Sequence, residues 1–233
     1  MRQVVRPRAR HLIEQTWQTQ ANLSVFLVLL IVAVFVLPAL DRHRGHYQIN
    51  ADIVSTLLLA TGVAIGWGRR WLFTLGVLVT TPTLMLRWAQ LFSSSQSLRL
   101  STEICGVLAI LTVGCILLAQ VFRDGPINPV RVQGAVAAYL LIGVAYAHGY
   151  VIASYFNPTA ITSTEGSMTS FVDWIYFSFC TLSTLGYGDI IPTGPVSRML
   201  AIGEAISGQL FLAILIARLV SMQSSSAKET PLS

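Results

Sequence analysis

A series of apolar runs, separated by short polar stretches, extends over most of the chain. A helix needs about 20 mostly apolar residues to cross a bilayer. Six runs approach or exceed this length, which predicts an all-α integral membrane protein with six transmembrane helices. The predicted spans are 22–40, 51–67, 71–88, 101–122, 132–154 and 197–221.

The composition also favours a membrane protein over a soluble one. Hydrophobic residues make up 54% of the chain and charged residues 11%, whereas about 25% of a typical soluble domain is charged. The net charge of +5 does not indicate nucleic-acid binding, because the arginines flank the apolar runs instead of forming one stripe. Cys105, Cys115 and Cys180 lie inside apolar runs without metal-ligand spacing, and we interpret them as packing residues.

Basic residues indicate the orientation in the membrane. Residues 1–21 are predicted to form a basic cytoplasmic N-terminus, and the run that follows is long for a signal-peptide core, so we interpret it as a retained helix. Six spans return the chain to its starting side, which predicts a multi-pass protein of the plasma membrane with both termini cytoplasmic. Residues 222–233 are then a short cytoplasmic tail, without fixed structure from Ser224 onward and with no soluble regulatory domain on this chain.

A further apolar segment, 170–182, is too short to span the membrane. Ser170 and Asp173 have the spacing of a capping box, which predicts the start of a short helix. The stretch from Thr184 to about Pro195 does not have a helical pattern. Irregular backbone at membrane depth is stable only where protein or a water-filled cavity surrounds it. The pattern therefore predicts a re-entrant helix followed by a loop that lines a pore.

The loop contains the sequence Thr184-Leu185-Gly186-Tyr187-Gly188-Asp189. This stretch resembles the selectivity-filter signature of the potassium-channel family, and the resemblance extends over about 132–221. It also resembles the filter of two-pore-domain channels, although this chain has a single pore loop. The resemblance implies a pore domain, 132–221, built from an outer helix at 132–154, a pore helix at 170–182, a filter at 184–188 and an inner helix at 197–221.

Filter chemistry explains these residue types. Backbone carbonyls of four chains replace the hydration shell of K+, which is the expected permeant ion, so the resemblance implies a homotetramer. Successive carbonyls face the ion only if alternate residues take a left-handed conformation, which glycine adopts at little steric cost. The expected K+ ligands are the carbonyls of Thr184, Leu185, Gly186, Tyr187 and Gly188, together with the Thr184 hydroxyl.

The same resemblance assigns residues that support the filter, with some departures from the family. Leu185 replaces the more common valine or isoleucine. Tyr176 and Phe177 replace a tryptophan pair that is frequent in the pore helix, and Cys180 replaces a glutamate found behind the filter of some members. Asp189 is expected to brace the outer end of the filter and to attract cations.

The inner helix carries the predicted gate and cavity. Gly208 falls where many members have a hinge glycine, although a close helix contact is an equally good interpretation. Gln209, Leu212 and Ile216 match cavity positions, and Leu212, Ile216 and Val220 would form an apolar constriction. The alternative is a stripe that faces lipid or a packing partner.

Three other polar residues lie inside apolar runs. Glu204 is predicted either to hydrogen-bond the pore helix or to act as a protonation-sensitive brace for the filter. His148 is a packed histidine or a pH switch. A proton-coupled transporter or a membrane enzyme, the alternative from another class, would require Glu103, His148 and Glu204 to converge at one site, and their spacing does not demand it.

Six spans with the pore last resemble the layout of voltage-gated potassium channels, but the predicted four-helix transmembrane domain at 22–122 has no voltage-sensing arginines. Steep voltage dependence needs several arginines within the fourth span. Here Arg99 precedes that span, Arg123 follows it, and Glu103 is its interior charge. The prediction is a K+-selective channel that is not steeply voltage-gated and is not an enzyme, with lipids and its own copies as partners. A less selective monovalent cation channel is the alternative.

Overall fold

The computed structural model describes residues 22–40, 47–66, 70–93, 95–122, 129–164, 166, 168 and 170–228. The basic segment 1–21, Arg123 and the last part of the predicted tail, 229–233, lie outside these residues. The described chain is mostly helical. Its helices are α1 (Asn22–Ala39), α2 (Tyr47–Ile65), α3 (Arg70–Ala89), α4 (Gln96–Val121), α5 (Pro129–Phe156), α6 (Phe171–Leu182) and α7 (Pro195–Lys228).

Five of the described helices are long and apolar enough to cross a membrane, namely α1, α3, α4, α5 and α7. The second predicted span corresponds to α2, whose apolar part, Ile53–Ile65, is shorter than a span. The first turns of α2 carry Gln48, Asn50 and Asp52, which explains why its apolar part begins late. The structure thus supports a multi-pass membrane protein, while the count of six spans stays a prediction.

Two predicted helix limits differ from the structure. Helix α4 begins at Gln96, so that Arg99 lies inside its first turn instead of preceding it. Helix α7 continues to Lys228, and the expectation of no fixed structure from Ser224 is therefore wrong as far as Lys228. The segment between 217 and 228 contains Ala, Arg, Leu, Met, Gln and Lys, which favour helix and outweigh the serines.

Helix α5 is the centre of the packing. It contacts α4 on one side and both α6 and α7 on the other. Large apolar side chains of α1, α4 and α5, including Phe26, Ile116 and Leu140, form the main core. Directly after the C-terminal end of α4, the carbonyl of Phe122 accepts a hydrogen bond from the Arg218 guanidinium of α7 at 2.6 Å. The guanidinium also lies over the Phe122 ring. Helix α4 and the residue that follows it thus contact both α5 and α7.

A short antiparallel ribbon joins the segment before α6 to the segment after the loop that follows α6. The all-α prediction missed this ribbon. Strand β1 (Ile161–Ser163) pairs with β2 (Ile190–Pro192), with Thr162 opposite Ile191. Three-residue strands are too short to show an alternating pattern in the sequence. The ribbon holds the segment before α6 against the segment after the loop, so both ends of the loop are fixed.

Candidate ion-conducting site

Helix α6 begins and ends where its local sequence requires. The Val172 amide donates to the Ser170 hydroxyl at 3.3 Å, and the Ser170 amide donates to the Asp173 carboxylate at 3.2 Å, which confirms the predicted capping box. At the other end, the Thr184 amide donates to the Thr181 carbonyl at 2.9 Å and the chain leaves the helix. The negative end of the helix dipole therefore lies directly before residue 184.

The loop after α6 has an alternating backbone. Its φ angle is 58° at Thr184, 57° at Gly186 and 82° at Gly188, so every second residue is left-handed. The sequence predicted this conformation for the two glycines. Thr184 adopts it as well, at a cost of about 1–2 kcal/mol for a residue with a Cβ atom. Strain of this kind persists only where the surrounding structure enforces it and is frequent at functional sites.

Hydrogen bonds to α6 hold the inner part of this loop. The Leu185 amide donates to the Cys180 carbonyl at 2.8 Å, and the Gly186 amide donates to the same carbonyl at 3.2 Å. The Cys180 backbone thus supports the loop. The Leu185 side chain is 54% exposed and the Tyr187 side chain 67% exposed in the single chain.

The outer part of the loop is held by Tyr176 and Asp189. The Tyr176 hydroxyl donates to the Asp189 carboxylate at 2.7 Å. The Tyr176 ring is stacked on Tyr187, with ring centroids 6.5 Å apart and planes inclined by 6°. The hydrogen bond to Asp189 raises the pKa of the Tyr176 phenol, which remains a protonated donor. From the ribbon side, the Thr164 amide donates to the Asp189 carbonyl at 2.9 Å.

Removing this phenol hydroxyl tests the brace. We expect Tyr176→Phe to loosen the outer part of the loop, because the Asp189 carboxylate loses its hydrogen-bond donor. Faster amide hydrogen exchange at residues 186–189 is the measurement. Tyr155→Phe is the control, since that hydroxyl on α5 has no partner among the described residues. Equal exchange in the two variants would contradict the brace.

Behind α6 lies a buried polar cluster, whose centre is Glu204 of α7. The Glu204 side chain is fully buried. One of its oxygens accepts a hydrogen bond from the Tyr150 hydroxyl of α5 at 2.6 Å, and the other contacts the Ser178 hydroxyl of α6. Phe177 packs edge-on against the Tyr150 ring, with centroids 4.8 Å apart. The sequence indicated Glu204 and Phe177 but not Tyr150 and Ser178, for which the only signal is a polar atom within an apolar run.

Helix α7 lies close against the end of α6 at Gly208. A Cβ atom at this position would lie 2.4 Å from the Leu182 carbonyl oxygen. The structure thus shows the close helix contact, while the hinge role of Gly208 stays a prediction. The predicted cavity and gate residues lie on an exposed face of α7 in the single chain. These residues are Gln209, Leu212, Ile216 and Val220.

The buried residue His148 belongs to a separate polar pair. The His148 imidazole of α5 contacts the Glu103 carboxylate of α4, and its ring lies 4.7 Å from that of Phe171. Glu103 and His148 therefore meet each other, whereas Glu204 has different partners. This arrangement does not bring the three residues into the one site that a transporter would need. The described residues also contain no group of three side chains suited to a metal ion.

Comparison with known proteins identifies the region that contains this loop. Residues 135–224 match a protein-family model described as "Ion channel". The chain is 38% identical over 86 residues to Two-pore potassium channel 4 of Arabidopsis thaliana, a match that covers 37% of this chain and 29% of the plant protein. It is 32% identical over 87 residues to Protein LctB of Bacillus caldotenax, covering 35% of this chain and 64% of that protein.

A third relative shares a shorter segment. The chain is 47% identical over 45 residues to the Inward rectifier potassium channel Kirbac3.1 of Paramagnetospirillum magnetotacticum, which covers 19% of this chain and 15% of that protein. The chain has no significant match among solved structures. It spans less than two thirds of the length of each of these relatives.

These matches confirm the resemblance that the loop sequence indicated. Residues 135–224 thus form an ion-channel domain, and the relatives that match it include proteins named as potassium channels. Together with the five long apolar helices, this domain makes the chain a multi-pass membrane protein.

Proposed function

We propose that this protein is one subunit of a homotetrameric K+-selective channel, with its filter at Thr184–Gly188. The alternating left-handed backbone at Thr184, Gly186 and Gly188, which directly follows a short helix inside an ion-channel domain, is the observation that carries the proposal. A chain that alternates in this way turns successive carbonyls toward one side. Stacked rings of carbonyls from four chains then replace the hydration shell of K+.

The elements around the filter have complementary roles in this proposal. Helix α6 is the pore helix, and the negative end of its dipole faces a central cavity that holds a cation. Helix α5 is the outer helix and α7 the inner helix. Leu212, Ile216 and Val220 face the pore axis and close it by excluding water. In the single chain this face is exposed, which agrees with a surface available to lipid, water or a second copy.

The front helices and the orientation complete the proposal. Six spans place both termini in the cytoplasm, and α6 enters the membrane from outside. Helix α4 carries Arg99 in its first turn and no regular series of arginines in the apolar part that follows. Conduction is therefore passive and not steeply dependent on voltage.

The decisive experiment is reconstitution of the purified protein in liposomes with opposed K+ and Na+ gradients. A reversal potential that follows the K+ gradient is the expected result. Current with a potential near zero would replace the proposal with a less selective monovalent cation channel, and Leu185 would be the first position to exchange for valine. No current above that of empty liposomes, from protein shown to be a tetramer by native mass spectrometry, would contradict both.

A further inference from the structure

Three elements of the channel domain meet at the buried cluster around Glu204. Tyr150 and the Gly143 carbonyl come from α5, Ser178 from α6, and Glu204 from α7. Their sequence separations, 54 residues from Tyr150 to Glu204 and 26 from Ser178 to Glu204, show that the cluster depends on the tertiary fold. Because Ser178 lies in the helix that directly precedes the filter, the cluster determines how this helix is held from behind.

The number of protons in the cluster constrains its chemistry. The Ser178 hydroxyl lies 2.6 Å from the Gly143 carbonyl oxygen and also contacts one carboxyl oxygen of Glu204. A serine hydroxyl has one proton, and a carbonyl oxygen has none. The proton between Ser178 and Gly143 must therefore be that of the serine. The proton between Ser178 and Glu204 then has to come from Glu204.

We infer that Glu204 is held as a neutral carboxylic acid, which donates a hydrogen bond to Ser178 and so positions the pore helix between the outer and inner helices. In this arrangement the Tyr150 hydroxyl donates to Glu204, the Glu204 carboxyl donates to Ser178, and Ser178 donates to the Gly143 carbonyl. Each proton then takes part in one hydrogen bond, and each of the three oxygen–oxygen contacts contains one proton. An ionised Glu204 would leave one of the two contacts of Ser178 without a proton.

The surroundings of Glu204 agree with a neutral side chain. Its side chain is fully buried, and among the described residues no cationic group pairs with it. The ionisable groups of α5 that interact with it are the phenols of Tyr139 and Tyr150, and α6 contributes the uncharged Ser178. An unpaired carboxylate in such surroundings is strongly disfavoured, because burial penalises the charged form.

Infrared difference spectroscopy of Glu204→Gln against the unmodified protein tests the protonation directly. At neutral pH we expect the difference spectrum to lose the carbonyl band of a protonated carboxyl group, with no loss of the carboxylate bands. Glu103→Gln is the control, since it removes another glutamate of the spanning helices and should leave that band in place. Loss of carboxylate bands in Glu204→Gln would overturn the inference.

Function and stability give a second readout. A glutamine amide can donate to Ser178 and accept from Tyr150, so Glu204→Gln should keep K+ flux within about twofold of the unmodified protein. Glu204→Ala, which can do neither, should lower flux about tenfold. Where Glu204→Ala fails to assemble, Tyr150→Phe is the variant to use. It removes a single donor to Glu204 and should lower the melting temperature of the tetramer without preventing assembly. Equal loss in the glutamine and alanine variants would contradict a neutral donor.

The flux readout rests on the proposed channel function, whereas the infrared readout does not. A protein that conducts no ions but shows the protonated carboxyl band would contradict the proposed function and leave the proton assignment intact. A selective channel without that band would support the proposed function and contradict the proton assignment.

Discussion

Gly186→Ala is expected to lower K+ flux at least about tenfold while the protein still folds and assembles. Gly186 has a φ of 57°, and an L-residue in this conformation costs about 1–2 kcal/mol in every subunit. A Cβ atom there would meet no other atom of the same chain within 4 Å. The expected effect therefore arises from the backbone and, in the proposed tetramer, from the approach of neighbouring copies at the pore axis. About 1.4 kcal/mol corresponds to a factor of ten in rate.

The matched control for this prediction is Gly166→Ala. Gly166 also has a positive φ, 115°, and open space around its Cα, but it lies in the segment before α6. It carries the same kind of backbone cost outside the proposed filter. K+ flux into liposomes, normalised to the amount of tetramer, is the measurement for both variants. Equal loss in the two would assign the effect to general destabilisation and count against a filter at 184–188.

Thr184 offers a second comparison with Gly186, because it is a left-handed residue of the same loop that already has a Cβ atom. Its position is fixed by the amide hydrogen bond to Thr181 at the end of α6. Gly186 is held less firmly, since its amide shares the Cys180 carbonyl with Leu185 at the longer distance of 3.2 Å. Strain at position 186 would therefore move the loop more readily than strain at position 184 does.

The parts of the site that depend on nearby residues could be predicted from the sequence. The capping box needs only Ser170 and Asp173, and the left-handed conformations follow from Gly186 and Gly188. Each of these features is decided within a few residues of the chain. The short apolar length of the segment 170–182 likewise predicts a helix that cannot span the membrane, and α6 has these limits within one residue.

The parts that depend on packing between distant segments could not be predicted. Tyr150 and Ser178 are unremarkable in the sequence, and only the packing of α5 on α6 and α7 brings them to Glu204. The β1–β2 ribbon is similar, because its pairing depends on a register between residues far apart in the chain. The close contact of Gly208 with Leu182 likewise depends on the packing of α7 on α6, whereas the hinge role stays a prediction.

Gly208→Ala is expected to destabilise the assembled protein by about 1–3 kcal/mol and to reduce K+ flux with it. The added Cβ atom would lie 2.4 Å from the Leu182 carbonyl oxygen and 2.9 Å from the Leu182 Cδ1 atom. The first of these is a backbone atom that cannot rotate away, so α7 and the end of α6 must separate. Overpacking of this kind typically costs about 1–3 kcal/mol. Because Leu182 is two residues before Thr184, the shift reaches the loop directly.

Gly149→Ala makes the same change in another spanning helix and serves as the control. A Cβ atom at position 149 would have no neighbour within 4 Å, and alanine favours helix over glycine by about 1 kcal/mol. We expect its tetramer to melt at the same temperature or slightly higher. The hinge interpretation of Gly208 makes a different prediction, because a stiffer inner helix would change the fraction of time spent open without lowering the melting temperature. A Gly208→Ala protein as stable as the unmodified one, with altered open probability, would therefore favour the hinge over the close contact with Leu182.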